Sequence, residues 1–225
     1  MNLFTYIVTI HNSGDLIYKT FENLFATRQC PGEVIAILDG CTDNSELEVN
    51  RFMAEQNVNI IKLHAPDVHE ILSLNMGLRY IQEHLQTEYI VTVQDDCWLL
   101  DPDLEYMTMV MFENHSPLGH LVFRLGANYT PNMDIINMVE NWNGVGFGTT
   151  LAKHQWAKRM VGGKSPSVIP MHLINNFGLL DDNLAPRGYD DVEWSLRALS
   201  HGYETIVLAT YWRSDLSWGG TRRKV

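Results

Sequence analysis

Short apolar runs rich in β-branched residues alternate with segments whose apolar residues recur at helical spacing. No other feature constrains the fold as much. Phe4 to Thr9 is the first such run, and Ile17, Phe21, Leu24 and Phe25 follow at helical spacing. Val34 to Leu38 reads as a buried strand and Glu46 to Gln56 as a helix, with start signals from Asp43 to Ser45. Val58 to Leu63 is a third strand. Ile71, Leu74, Leu78, Ile81 and Leu85 mark a longer helix, and Tyr89 to Val93 a fourth strand. Asp101-Pro102 reads as an N-cap with proline at the first helical position, continued by Leu104, Met107 and Met111. Strands separated by helices pair in parallel through right-handed crossovers. The expected class is therefore α/β, with a mostly parallel central sheet flanked by helices.

The second half is less regular. His120 to Leu125 reads as a strand and the polar stretch Asn128 to Asn143 as a loop. Val145 to Leu151 reads as a strand, and Lys153 to Val161 as a helix stopped by Gly162-Gly163. Asp190 to His201 is a helix with acidic residues at its start and Gly202 past its end, and Tyr203 to Ala209 is a closing strand. With no repeat or linker in view, residues 1–225 are expected to form one domain of two unequal halves, 1–115 and 116–225.

Composition narrows the function. Of 225 residues, 45% are hydrophobic and 19% charged, which excludes a disordered or fibrous chain. The formal net charge of −11 argues against nucleic acid as a partner, since duplex binding needs a basic face. An anionic small molecule stays open, because a divalent metal can carry the positive charge. Three cysteines (Cys30, Cys41, Cys97) make neither a disulfide framework nor a zinc pattern, and a reducing, cytoplasmic compartment is the simplest reading. The N-terminus runs into a strand with no basic leader, and no apolar run approaches the roughly 20 residues of a membrane span. The basic residues Thr221 to Val225 read as a solvated tail.

In open α/β sheets, ligands bind beyond the carboxyl ends of the strands. Here the first strand ends in Thr9-Ile10-His11-Asn12, the second in Asp39-Gly40-Cys41-Thr42-Asp43, and the fourth in Gln94-Asp95-Asp96. Adjacent carboxylates such as Asp95 and Asp96 raise each other's pKa unless a cation is near, and Mg²⁺ or Mn²⁺ favours such oxygens. Taken singly, the pair is also an ordinary loop start, and Asp39-Gly40 an ordinary turn. Asp190 and Asp191 open a helix, where a carboxylate suits the helix dipole and equally suits a rigidly held general base.

The order of these segments is more specific than any one of them, and through it the chain resembles the family 2 glycosyltransferases. That family carries a strand ending in Thr-x-Tyr-Asn, a strand ending in Asp-Asp-Gly-Ser-Thr-Asp, and a helix with Asn-x-Gly. A strand ending in an Asp-x-Asp-like group and a Glu-Asp-x-Asp helix complete it. This sequence has Thr9-Ile10-His11-Asn12, Leu38-Asp39-Gly40-Cys41-Thr42-Asp43, Asn75-Met76-Gly77, Gln94-Asp95-Asp96 and Asp190-Asp191-Val192-Glu193. The resemblance implies the A-type glycosyltransferase fold, with a nucleotide-sugar-binding first half and an acceptor-side second half. It implies an inverting, metal-assisted enzyme that moves a sugar from a nucleotide-diphosphate sugar to an acceptor hydroxyl. Thr9, Asn12, Asp39, Asn75 and Asp95 would bind the donor, Asp96 would ligate Mn²⁺ or Mg²⁺, and Asp191 would be the base. Asp190, Glu193 and Arg197 would support it, Arg197 by orienting a carboxylate, and Trp194 would either stack on an acceptor-side sugar or pack in the core. Gly146 to Thr150 would be the acceptor-side strand, and Asn141 to Asn143, Trp156 and Tyr129 suit a carbohydrate surface. The acceptor would be a carbohydrate, a lipid-linked sugar or a protein-linked one, in a cytoplasmic enzyme with room for a peripheral membrane contact.

The sequence departs from that pattern at Leu38, where the family often has a first aspartate, and at Glu70, which is expected to point away from a diphosphate. It lacks the late metal-binding histidine of many members after His201, for which Asp215, water or a further C-terminal segment would substitute. The other histidines (His64, His84, His115, His120, His154, His172) read as surface or core residues. A nucleotidyltransferase would need a glycine-rich basic loop where the chain has Asn12-Ser13-Gly14-Asp15. A catalytically weakened nucleotide- or glycan-binding module of the same fold is the alternative.

Overall fold

The computed structural model describes residues 2–132, 134–140, 149–163, 165–186 and 188–214. The first half follows the alternation read from the sequence: β1 (Asn2–Ile10), α1 (Ile17–Thr27), β2 (Gly32–Asp39), α2 (Ser45–Gln56), β3 (Ile61–Ala65), α3 (His69–His84) and β4 (Thr87–Gln94). These strands pair in parallel in the order β4-β1-β2-β3. The order reverses between β1 and β4, which opens a crevice at their carboxyl ends.

Strand parity divides the core into two layers. Phe4, Tyr6, Val8 and Ile10 of β1 pack with Phe21 of α1 and Phe52 of α2. Ile7, with Ile35 and Ile37 of β2, packs against Ile71, Leu74 and Leu78 of α3. Both faces are covered, so the strands read as continuous apolar runs rather than alternating ones.

After the short β5 (Trp98–Leu99) comes α4 (Leu104–Asn114). It starts later than expected, with Asp103 at the N-cap. Asp101 instead accepts the Asp103 amide (3.1 Å) and binds Lys153 and His154. The remainder is β6 (Leu118–Val122), β7 (Leu125–Tyr129), β8 (Ile135–Glu140), β9 (Thr149–Thr150), β10 (Trp156–Arg159), β11 (Val161–Gly162), β12 (Ser167–Pro170), α5 (Met171–Phe177), a 3₁₀ turn (Asp182–Leu184), α6 (Asp190–Ser200), β13 (Glu204–Leu208) and β14 (Trp212–Arg213). The main sheet runs β10-β13-β6-β12-β4-β1-β2-β3, with β12 antiparallel to both neighbours.

Two expectations are overturned here. Residues 153–161 do not form a helix: Trp156–Arg159 pairs antiparallel with β13 as an edge strand. Gly162 is small for close approach rather than as a helix stop, since a Cβ there would lie 2.5 Å from Val122. Nor is 128–140 a loop, because β7 and β8 form a hairpin closed by Thr130 and Asp134. Its polar composition reflects exposure of Ile135 to Asn137 on one side and the Asn128 side chain accepting from the Met160 amide (2.9 Å) on the other. Among the described residues, no helix is long and apolar enough to cross a membrane.

Candidate active site

The crevice between β1 and β4 collects the polar strand ends. Asp39 is 2% exposed, and its Oδ1 accepts from the Val68 amide at the head of α3 (2.7 Å). Parity explains this contact: Asp39 follows Ile35 and Ile37 on the α3 side of β2. Gly40 (φ +60°) must be glycine, because a Cβ would stand 2.4 Å from the Asp67 side chain. His11 ties three strands together. Its amide donates to Asp95 Oδ2 (2.9 Å), and its Nδ1 donates to the Asp39 carbonyl (2.6 Å). Asn12, in the left-handed region (φ 49°), accepts the Thr42 amide (2.8 Å) and so joins the loops after β1 and β2.

Asp95 is 6% exposed. Desolvation raises its pKa to about 7; the His11 amide opposes this, Asp96 adds to it, the Ser13 hydroxyl opposes it and Glu70 adds again. Asp96 is less buried and accepts the Ser214 hydroxyl (2.7 Å). Glu70 does not point away as expected. It accepts from the Gln94 side chain at 3.0 and 3.1 Å and faces the crevice.

Arg124, between β6 and β7, was missed from the sequence. Its guanidinium lies 5.6 Å from the centre of the Trp212 ring. Burial lowers its pKa, while Cys97, Asp96, Asp191 and Glu70 raise it, so this cation stands among the site's carboxylates. A lone arginine between two strands has no spacing signal; only the tertiary fold gives it neighbours.

From the other half, α6 brings its acidic first turn. The chain enters through Gly188 (φ 92°) and Tyr189 (φ 72°), both left-handed. Asp190 is 3% exposed, and Asp191 is half-buried with Oδ1 accepting the Val192 amide (2.8 Å). Asp191 and Asp190 share with Thr9, Glu70 and His120 the lining of a cavity of about 20 Å³, enough for one water. Thr9 has the parity of Ile7 and so reaches the α3 and α6 side of the sheet.

Other candidates sit elsewhere. Asn75 is fully buried, and its amide group clamps the Leu180 backbone, donating to the carbonyl (2.8 Å) and accepting from the N–H (3.0 Å). Arg197 pairs with Glu193 rather than Asp191 and donates to the carbonyls of Phe177 (3.0 Å) and Leu179 (2.8 Å). Trp194 is 1% exposed in the core, with its indole N–H toward Gly119, which closes its ring to a stacking sugar. Trp156 is 44% exposed on β10, edge-on to His115. Residues 141–148 and Asp215 lie outside the described residues, as does the tail 221–225.

Among the described residues, two groups bring possible ligand atoms within 4.8 Å of one another: His11, Asp39, Asp67 and Asp101, Asp103, His154. Asp96 belongs to neither. In the second, Lys153 Nζ already stands 3.1 Å from Asp101. Burial alone would raise the Asp101 pKa, but Lys153, the Asp103 amide and His154 outweigh it and hold it low.

The mostly parallel sheet gathers carboxylates from both halves at its switch-point crevice, and its fold is the A-type glycosyltransferase fold. Residues 5–163 match the pattern of glycosyl transferase family 2, and the chain belongs to that family. Among solved structures it is similar to the mannosyltransferase PcManGT from Pyrobaculum calidifontis, in complex with GDP-Man and Mn²⁺ (TM-score 0.68, 17% identity, covering 97% of this chain and 58% of that one). It is similar also to S. aureus TarS 1-349 in complex with UDP-GlcNAc (0.69, 16%, 99% and 61%). GalNAc-T7 with UDP, GalNAc and Mn²⁺ is a third (0.69, 11%, 92% and 42%). The chain thus spans 42–61% of the length of these three. No curated protein matches its sequence significantly.

Proposed function

We propose that the chain transfers a sugar from a nucleotide-diphosphate sugar to an acceptor hydroxyl with inversion, using Asp191 as general base. The observation that carries this reading is the shared cavity: Thr9 of the donor edge and Asp191 of α6 line one space. Residues up to about 115 bind the sugar nucleotide, and residues from 116 onward supply the acceptor side and the base. Thr9 and Asp39 hold the nucleoside, Asp95 meets the ribose, and Asn12 fixes the loops around them. Asn75 acts as a positioning residue, since its amide is spent on Leu180.

Asp191 takes the proton from the acceptor hydroxyl as that oxygen forms its bond to the anomeric carbon. The anomeric C–O bond to the nucleoside diphosphate breaks on the opposite face, and the diphosphate leaves with its electron pair. Arg124 supplies positive charge to the leaving diphosphate. Asp95 and Asp96 offer hard carboxylate oxygens at this edge, the donor type that a divalent ion takes. Asp96, with Asp95 beside it, would hold Mn²⁺ or Mg²⁺, which when bound adds charge stabilisation to the leaving group. GDP-Man and UDP-GlcNAc, bound by the similar proteins, are the first donors to test. The three free thiols fit a reducing compartment.

The test has two arms. In thermal melts with UDP, GDP, dTDP and CDP, each with Mn²⁺ or with EDTA, one nucleotide should stabilise the protein only with metal. At 100 times its dissociation constant that is about 2.7 kcal/mol. Asp191→Asn should keep this shift and lose about 10²–10⁴-fold in release of nucleoside diphosphate from the matching sugar nucleotide. Near-normal turnover in that variant would remove Asp191 as the base. Metal-dependent binding with no turnover in the wild type would favour the weakened binding module.

A further inference from the structure

Ser195 is fully buried in α6, and its Oγ meets three elements. Its hydroxyl donates to the Asp191 carbonyl one turn earlier (2.7 Å). The Gly162 amide of β11 donates to the same oxygen (3.1 Å), and His120 Nδ1 of β6 lies 2.9 Å from it. A hydroxyl has one proton and two lone pairs. With the proton spent on Asp191, both other contacts must be donations to the oxygen. His120 therefore carries a proton on Nδ1.

These contacts fix a proton on Nδ1, and burial keeps the ring neutral. His120 is 1% exposed, and burial pushes its pKa down to about 3. A serine inside a helix often back-bonds to the carbonyl four residues earlier and gains little from it. Here two donors from distant strands fix that serine. The Asp191 carboxylate is held by the Val192 amide and its carbonyl by Ser195, so the residue is gripped from both ends.

We infer that Ser195, held by His120 and Gly162, is a positioning device for the base: it fixes the first turn of α6 and so aims the Asp191 carboxylate at the acceptor. The inference rests on the reading of Asp191 given above. Ser195 acts through the Asp191 backbone, and His120, which lines the same cavity, acts through Ser195.

Long-range ¹H–¹⁵N spectra of uniformly labelled protein, with the signal assigned by its loss in His120→Asn, should show His120 protonated on Nδ1. Protonation on Nε2 would overturn the inference without any substrate. Release of nucleoside diphosphate from UDP-GlcNAc and from GDP-Man supplies the functional arm. Ser195→Ala should lower kcat about tenfold, since small misplacement of a reacting group costs up to about 10²-fold, with KM for the sugar nucleotide within about twofold. His120→Leu should behave like Ser195→Ala. His120→Asn, whose amide N–H can replace Nδ1–H, should recover most of kcat. In the Asp191→Asn background, Ser195→Ala should add no further loss, because both act on one group. Wild-type kcat in Ser195→Ala and His120→Leu beside an inactive Asp191→Asn would sink this inference alone. An active Asp191→Asn would sink the base reading instead.

Discussion

From Asn2 to Gln94 the strands β1 to β4 pair with one another in parallel, and each after the first is reached through a helix. Beyond Leu118 the sheet grows by antiparallel β12, by the edge strand β10 and by a hairpin packed outside it. The contrast extends to the candidate site. On the donor side, His11 and Asn12 knit strand ends that the sheet already brings together. Around α6, the backbone is tied by side chains that reach across the fold. Arg197 holds the carbonyls of Phe177 and Leu179, Asn75 grips Leu180, and His120 braces Ser195. A donor edge built from repeating strand–helix units tolerates loss of one such tie. The surroundings of α6, built on single long-range clamps, should not.

The same type of substitution on the two sides tests this most strongly. Asn75→Ala leaves the Leu180 N–H and C=O without their partner in a fully buried position. At about 1–3 kcal/mol for each unsatisfied group, the expected loss is about 3 kcal/mol. Asn12→Ala removes hydrogen bonds to exposed amides that water can replace and should cost about 1 kcal/mol. Urea midpoints at constant m-value give both numbers. Equal losses would erase the contrast.

Acid offers the next largest effect, and it too acts on the base side. Folded His120 titrates near pH 3 and the unfolded residue near 6.5. Above pH 6.5 neither state binds the proton. Between 6.5 and 3 only the unfolded chain does, so stability present at neutral pH is lost as the pH falls. By pH 4.5 the loss should reach about 2–3 kcal/mol. Glu70, Asp190 and Asp191 line the same cavity and belong to that environment. Chemical denaturation at pH 7.0 and 4.5 should find this share absent in His120→Asn. A variant with the full wild-type acid dependence would assign the loss to other groups.

Legibility follows the same division. Phe4 to Val8 and Val34 to Leu38 are read correctly because strands covered on both faces are apolar throughout, and no other element explains such short runs. Asp39, Asp95 and Thr9 could be placed at the crevice because strand ends in a parallel sheet have a fixed place. Trp156 to Arg159 misled because an edge strand of mixed polarity has no period of its own. Its pairing with Thr205 to Leu208 decides its state. Glu70 was read outward because a diphosphate would repel it, but Gln94 and the nearby Arg124 draw it in. Arg124 and Ser195 were illegible for the same reason: their partners lie far along the chain.

Arg197 separates charge from geometry at a smaller scale. Arg197→Lys keeps one positive charge opposite Glu193 but loses the planar fork that also serves two carbonyls. The cost should be about 1–2 kcal/mol. Arg197→Ala should cost more, since packing over the Trp194 ring goes as well. If lysine proved neutral, charge alone would explain the contact, and the clamp on Leu179 would carry no weight.

The smallest effect belongs to the edge of the acceptor half. Lys158 on β10 pairs with Glu204 on β13 at 2.7 Å, but its side chain is 52% exposed. Exposed pairs are typically worth about 0–1 kcal/mol and are screened by salt, so Lys158→Ala should shift stability by less than about 0.5 kcal/mol. Its importance is elsewhere. β10 ends the sheet, and an edge strand exposes backbone groups to other chains unless charge guards them. Lys158→Val should therefore leave the melting point nearly unchanged and yet raise association, read as a concentration-dependent rise in light scattering. A large fall in stability without association would mean that the lysine braces β10 itself, and the acceptor half would then depend on its surface as well as on its buried clamps.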